Sequence, residues 1–348
     1  MMKNEHWMVT LQKMFYPFLA VIGIPSNVLT LLIFWKRDCG LSPSCRCYMI
    51  AMSIADTMVL IHIVILELIL QNFTTEPFWS RAPWCMIRDV LSFGAYNSSV
   101  WLVVCFTIER FIAIRTLWRK SRLCTKKCTL YVIWSVFILS HLFSIPYYWA
   151  NESKIINGTG SFKCVYHIGR SRLYVESLVW FQNTLVYILP YLIIFTLNAL
   201  VLRQICHSNK IHCEGQDSRS SRRFPHIKKH RVKSVVLLVT ISLTFVYLCT
   251  TRFVTQIIIK TMHYEIERKD YSKIINVAAD IGTMLDLTNT AINMYLYACT
   301  QSRFRKELQE VVKLRANPCR TDILQANIPV IFQISSKKPC CRPQNMVS

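Results

Sequence analysis

Glycine is scarce in this chain, eight in 348 residues, and acidic residues number 19 against 41 basic ones. So few glycines leave little room for a phosphate-cradling loop or for the paired broken helices of an alternating-access carrier, and no internal repeat is evident. His-Glu-x-x-His and Gly-x-Ser-x-Gly do not occur, nor does any zinc-ligand spacing or nucleic-acid module. His62 and His141 are single histidines within apolar runs, so no enzyme site is expected. Charged residues make up only 17% of the chain and hydrophobic ones 53%, more apolar surface than one soluble core can cover.

What is present is a series of long apolar runs: Met14–Trp35, Tyr48–Leu70, Val90–Ile114, Cys128–Trp149, Leu178–Ile205, Val235–Ile259 and Ile274–Ala298. Each has about 20 residues or more, enough at ~1.5 Å per residue to cross a hydrocarbon core of ~30 Å. Stretches such as Leu29–Trp35 are apolar on every side, unlike the amphipathic helices of soluble proteins. The expected fold is all-α: a seven-transmembrane bundle over 14–299, after an arm at 1–13 and before a short amphipathic helix at 300–315 and a tail at 316–348. The first run begins after about 13 residues without an Ala-x-Ala cleavage site, and reads as a retained helix.

Basic residues orient the bundle. The segments after the first, third and fifth runs, with the third inner loop counted from Arg203, and the tail hold 27 of them; the arm and the other loops hold 12. The positive-inside rule then places the N-terminus outside and the C-terminus in the cytoplasm of a plasma-membrane protein. Most of the net +22 lies on that inner side, facing anionic lipid and a cytosolic protein partner, and no nucleic-acid partner is expected. The triplets beginning at Asn72, Asn151 and Asn157 are glycosylation acceptors in loops placed outside, while a fourth at Asn97 falls within a run. Of fifteen cysteines, Cys85 and Cys164 are the pair facing an oxidising compartment, and a disulfide between them would tie a loop across the bundle mouth. Cys319, Cys340 and Cys341 are palmitoylation candidates beside a basic tail.

Ionisable groups inside spans are costly and mark function. Asp56, Ser99, Asn289 and Asn293 fall at mid-span, and their convergence suits a small hard cation such as sodium or plain interhelical hydrogen bonding; spacing leaves both open. Nearer the outer side stand Glu67, Arg88, Asp89, Arg252, Asp280 and Asp286, with Phe93, Tyr96, Gln182 and Phe253 as walls for a polar or zwitterionic ligand. Buried Asp56, Glu67 and Asp286 also leave a secondary transporter as the alternative. At the inner end of the third run, Glu109 beside Arg110 forms a pair that release would turn towards an inserted partner.

In order and spacing, Asn27, Ser53 to Asp56, Cys85, Glu109-Arg110-Phe111, Trp134, Pro190, Asn289 to Tyr297 and Ser302 to Arg305 resemble the class A, rhodopsin-like, G-protein-coupled receptors over about Phe15–Leu314. The resemblance implies a sodium pocket at Asp56, Ser99, Asn289 and Asn293 with an allosteric Na+ and no other cofactor, a G-protein-contacting Arg110, a Cys85–Cys164 disulfide and an inner switch at Tyr297. Arrestin and receptor kinase are implied as further partners, beside a heterotrimeric G protein and an extracellular ligand. Gly23 to Asn27, Ser144 to Trp149, Asp280 to Met284 and Leu287 to Asn293 are similar to a small group of orphan receptors thought to sense aromatic L-amino acids or short peptides through the Gq class. In that group the position of Arg252 is also arginine, and Asp89 and Phe93 match an acid and a phenylalanine of its pocket; with their neighbours in the spans, the expected ligand site is Arg88, Asp89, Phe93, Tyr96, Gln182, Arg252, Phe253, Thr283 and Asp286.

The chain also departs from the family. Leu248-Cys249-Thr250-Thr251 replaces Cys-Trp-x-Pro, Met294 replaces a proline, Asn198 a tyrosine, and Arg231 an acid that would hold Arg110. A constitutively active or decoy receptor is therefore a further expectation. Ser92, Gln182 and Thr283 depart from the closer group's pocket, where an acid, a histidine and an asparagine stand.

Overall fold

The computed structural model of the chain describes residues 6–70, 74, 78–115, 125–155, 162–166, 172–214, 225–261 and 270–316. It divides into two compact units, Met1–Glu307 and Leu308–Ser348, and the first holds the helical bundle. Helix α1, Trp7–Lys36, starts at His6, whose ring accepts a hydrogen bond from the Met8 amide. Ser42 caps α2, Pro43–Val59, which runs on into a π-helical stretch, Leu60–Ile69. Helix α3 is Trp84–Arg115. Thr125 caps α4, Lys126–Ser144, and a 3-10 turn over Ile145–Ala150 leads into strand β1, Asn151–Ile155, paired antiparallel with β2, Phe162–Tyr166. Helix α5 joins Arg172–Asn183, a π-helical stretch Thr184–Ile188, and Leu189–Glu214. Pro190 follows that stretch closely, and its missing N–H and bulky ring fit a loosened ladder better than a regular one. Helices α6, Pro225–Thr261, α7, Ile274–Thr300, and α8, Ser302–Ala316, complete the described residues.

Among the described residues six helices, α1 to α6, are long and apolar enough to cross a membrane. The seventh expected run forms helix α7, which falls outside that set. That helix buries Asn276, Asp286, Asn289, Thr290 and Asn293, so its polarity points into the bundle. Large apolar side chains such as Met14, Phe18, Tyr131, Trp134, Leu192 and Tyr247 are exposed along other helices, a surface suited to lipid. Helix α3 is the most enclosed of the six and α4 the least.

Close contacts set the packing where the polar groups lie. A Cβ on Gly23 would come within 2.7 Å of Leu60 and 3.0 Å of Ala291, so α1, α2 and α7 meet at that glycine. Just after it, the Asn27 amide donates to the Thr290 carbonyl at 2.7 Å and Ser26 Oγ to that of Ala291 at 3.2 Å. These bonds hold the polar face of α7 against α1.

Candidate functional site

At the end of the bundle that carries the hairpin, Arg252 of α6 places Nη1 2.8 Å from Oδ2 of Asp286 on α7. The Asp286 side chain is wholly buried and that of Arg252 is 25% exposed, so the pair opens on one side only. Tyr96 of α3 donates its hydroxyl to Asp286 Oδ1, and the guanidinium carbon lies 5.8 Å from the Tyr96 ring centre. Gly282, one turn before Asp286, permits this meeting: a Cβ there would stand 2.8 Å from the backbone nitrogen of Arg252. Phe253 packs on Tyr187, with ring centres 5.3 Å apart. Tyr187 and Cys249 are buried close to Asp286.

Above this core, Arg88 pairs with Asp89 at 2.8 Å, and the Asn151 amide donates to the other Asp89 oxygen at 2.6 Å. Cys85 and Cys164 form the expected disulfide, with Cα atoms 5.5 Å apart, and fasten the hairpin to the start of α3. Asn151 is 6% exposed and uses its amide nitrogen on Asp89, so a glycan at that nitrogen is incompatible with this arrangement. Asn151, expected as a glycosylation acceptor, here serves as a hydrogen-bond donor to Asp89. Asn72, Asn157, Cys319, Cys340 and Cys341 lie outside the described residues, as does the side chain of Arg231.

The remaining expected pocket residues face elsewhere. Phe93 stacks on Tyr147 at 4.1 Å within a cluster with Ala150 and Leu178. Gln182 donates to Asn97 at 2.8 Å, and Thr283 returns its hydroxyl to the Ala279 carbonyl at 2.9 Å. Asp280 accepts from Gln12 and Tyr271, each at 2.8 Å, tying α1 to the approach to α7. The ligand set thus separates into a charged core of Tyr96, Arg252 and Asp286, a rim of Arg88 and Asp89, and supporting contacts at Phe93, Gln182 and Thr283.

At mid-depth, Ser99 Oγ donates to Asp56 Oδ1 at 2.5 Å and Asn293 Nδ2 to Oδ2 at 2.7 Å. Asn289 is buried on the same helix as Asn293 but makes no hydrogen bond to Asp56. A carboxylate with a hydroxyl and two carboxamides is an oxygen-rich set, which suits a hard cation.

At the opposite end of the bundle, Arg110 Nε donates to Glu109 Oε2 at 2.6 Å. Two serines at the start of α2 join them: Ser44 donates to Glu109 at 2.8 Å, and Arg110 Nη2 reaches Ser42 at 3.2 Å and Ser44 at 3.3 Å. Tyr297 packs edge-on against Phe34 at 5.6 Å and Phe304 at 5.8 Å, and its buried hydroxyl has no hydrogen-bond partner. Residues 26–297 match the family model described as 7 transmembrane receptor (rhodopsin family). The chain belongs to that family.

This receptor is 23% identical over 312 residues to the C-C chemokine receptor type 9 of Ovis aries, a match covering 86% of this chain and 76% of that protein. It is 24% identical over 302 residues to the probable G-protein coupled receptor 142 of Mus musculus, covering 86% and 72%. It is 22% identical over 337 residues to G-protein coupled receptor 65 of Homo sapiens, covering 92% and 91%. A multi-pass G-protein-coupled receptor and not an enzyme, it uses its buried carboxylates at Asp56 and Asp286 as hydrogen-bonded anchors between helices.

Sequence reasoning missed Ser42 and Ser44 beside Arg110, and Tyr187 and Cys249 beside Asp286. Serine at a helix start reads as a cap, and Ser42 does cap α2. Tyrosine and cysteine in apolar runs carry no signal of their own. The tie between α5 and α6, in which Asn198 donates to Ser242 at 2.7 Å, is of the same kind.

Proposed function

We propose that the chain is a plasma-membrane receptor, N-terminus outside and C-terminus cytoplasmic, for a small polar or zwitterionic ligand such as an aromatic amino acid or short peptide. The ligand enters from the disulfide end and binds against α3, α5, α6 and α7. The observation that carries this reading is the Arg252–Asp286–Tyr96 cluster, an ion pair set deep among membrane helices and open on the Arg252 side. Charge of this kind is costly at membrane depth unless a polar cavity or a ligand meets it. Phe253, next to Arg252 in sequence, packs with Tyr187 and Tyr191 in an aromatic cluster that suits an aromatic side chain.

On the inner side, ligand binding favours a state in which Arg110 leaves Glu109, Ser42 and Ser44 and meets a helix of a heterotrimeric G protein, of the Gq class. Arrestin and a receptor kinase are proposed to follow at the basic inner loops and tail. Asp56, Ser99, Asn289 and Asn293 would hold a sodium ion, whose charge would favour the resting packing of α2, α3 and α7. Arg110 donates hydrogen bonds to Glu109, Ser42 and Ser44 and pairs with Glu109, to which Ser44 donates in turn, and this favours a quiet resting state over constitutive activity.

The test is to express the receptor in cells and measure inositol phosphate and cyclic AMP against a panel of aromatic amino acids and short peptides. A response lost in Arg252→Ala and in Arg110→Ala supports the reading. A response that survives Arg252→Ala unchanged places the ligand elsewhere, and a cyclic AMP response without inositol phosphate removes the Gq assignment.

A further inference from the structure

Among the described residues, the carboxyl groups around Arg252 and Arg88 outnumber the two arginines. Arg252 is paired with Asp286 and Arg88 with Asp89, and each of these carboxylates also accepts a neutral donor, Tyr96 or Asn151. Glu67 is the fifth member. It stands in the π-helical stretch of α2, half-buried, and Arg88, Asp89 and Arg252 all act on it electrostatically. Among the described residues it has neither a hydrogen bond nor an ion pair within 4.0 Å. Two arginines therefore stand among three carboxyl groups, and Glu67 is the one of the three without a hydrogen bond or ion pair among the described residues.

A second polar group, on α3, is also unsatisfied. Ser92 is 4% exposed and its Oγ has no hydrogen-bond partner. It lies on the same face of α3 as Arg88, Asp89 and Tyr96, three or four residues away from each, and so between the rim and the core. Buried hydroxyls almost always have a partner, so one left over a turn away from the Arg88 and Asp89 that interact with Glu67 marks where an outside polar group belongs. The π-helical stretch is consistent with this, because such distortions collect at functional sites and turn a side chain off the regular helix face.

We propose that Glu67 receives the ammonium group of the ligand, so that the ligand is an amine: an amino acid or a short peptide with a free N-terminus. Three N–H donors of an ammonium match the Glu67 carboxylate and the Ser92 hydroxyl together. A ligand carboxylate then meets the side of the Arg252 guanidinium that Asp286 leaves open. This assignment rests on reading the disulfide end as the ligand pocket, and it goes further in naming the ligand's charged group and the residue that reads it.

The experiment uses the purified full-length receptor in lipid nanodiscs and follows its thermal unfolding with three probes: phenylalanine, phenethylamine and 3-phenylpropionate, which lacks the amine. Phenylalanine and phenethylamine are expected to raise the unfolding temperature and phenylpropionate is not. Glu67→Gln is expected to weaken the amine effect about tenfold or more, and Glu67→Asp to retain part of it. Equal shifts from phenylalanine and phenylpropionate, equal amine effects in the native protein and Glu67→Gln, or no amine-dependent shift at all would each overturn the proposal. The probe comparison on the native protein stands even if a variant fails to fold. Because the readout is binding, amine binding through Glu67 without a cellular response would remove the signalling reading and leave this one. A cellular response to phenylpropionate equal to that of phenylalanine would do the reverse.

Discussion

Replacing Asp286 with alanine removes the partner of Arg252 and the acceptor of the Tyr96 hydroxyl in one step. Breaking a fully buried ion pair costs about 3–5 kcal/mol, and an orphaned buried hydroxyl about 1–3 kcal/mol. Arg252 is a quarter exposed, so solvent recovers part of its charge and the total falls to roughly 2–4 kcal/mol. Arg252→Met leaves Asp286 buried without its counter-ion and is expected to cost a similar amount. The double variant Arg252→Met with Asp286→Leu removes both charges, so its cost should fall short of the sum of the singles by about 2 kcal/mol. Neutral hydrogen bonds between membrane helices average about 0.6 kcal/mol and reach about 1.7 kcal/mol, so a coupling near 2 kcal/mol identifies an ion pair. The assay is equilibrium unfolding in mixed detergent micelles for the four proteins of the cycle. Single variants whose costs add to that of the double within about 0.5 kcal/mol would refute the pairing.

Further outcomes follow from other contacts. Ser44→Ala takes a hydrogen bond from the Glu109 carboxylate, worth about 1.5–3 kcal/mol for a charged partner, so inositol phosphate without ligand should rise several-fold, and Arg110→Ala in the same chain should abolish the rise. Gly282→Ala forces a Cβ to within 2.8 Å of the Arg252 backbone, and overpacking of about 1–3 kcal/mol should lower surface expression and ligand response together. Asn151→Gln should leave the mobility shift on glycosidase treatment unchanged, since that amide is bonded to Asp89; a smaller shift would mean Asn151 carries a glycan. Cys39, in the turn between α1 and α2, has its thiol pushed up to about 11, first by burial and then by the Glu307 carboxylate. In a chain keeping Cys39 as its single free thiol, maleimide labelling should keep rising about tenfold per pH unit past pH 9, where an ordinary thiol, with a value near 8.5, levels off.

Long apolar runs made the membrane class and six of the spans readable directly, because crossing hydrocarbon is a local requirement on about 20 consecutive residues. The seventh span was readable in position but not in character: α7 carries Asp286, Asn289 and Asn293, and only burial against its neighbours shows that these face inward. Spacing placed Asp56, Ser99 and Asn293 at one depth, and the fold brought them within hydrogen-bonding distance. The Cys85–Cys164 pairing was legible from compartment alone.

What the tertiary structure alone decided is who pairs with whom. Nothing in the chain distinguishes Arg252, which meets Asp286 across a glycine contact, from Arg88, which meets its own neighbour. The same holds for Phe93 and Gln182, which the bundle turns towards Tyr147 and Asn97, and for Ser44, a helix-start serine that reaches Glu109 sixty-five residues away. Hydrophobicity acts on each segment separately and so can be read segment by segment. Pairing depends on the rotation and spacing of helices distant in sequence, and these are set by close packing at positions such as Gly23 and Gly282, where one added carbon would change the geometry.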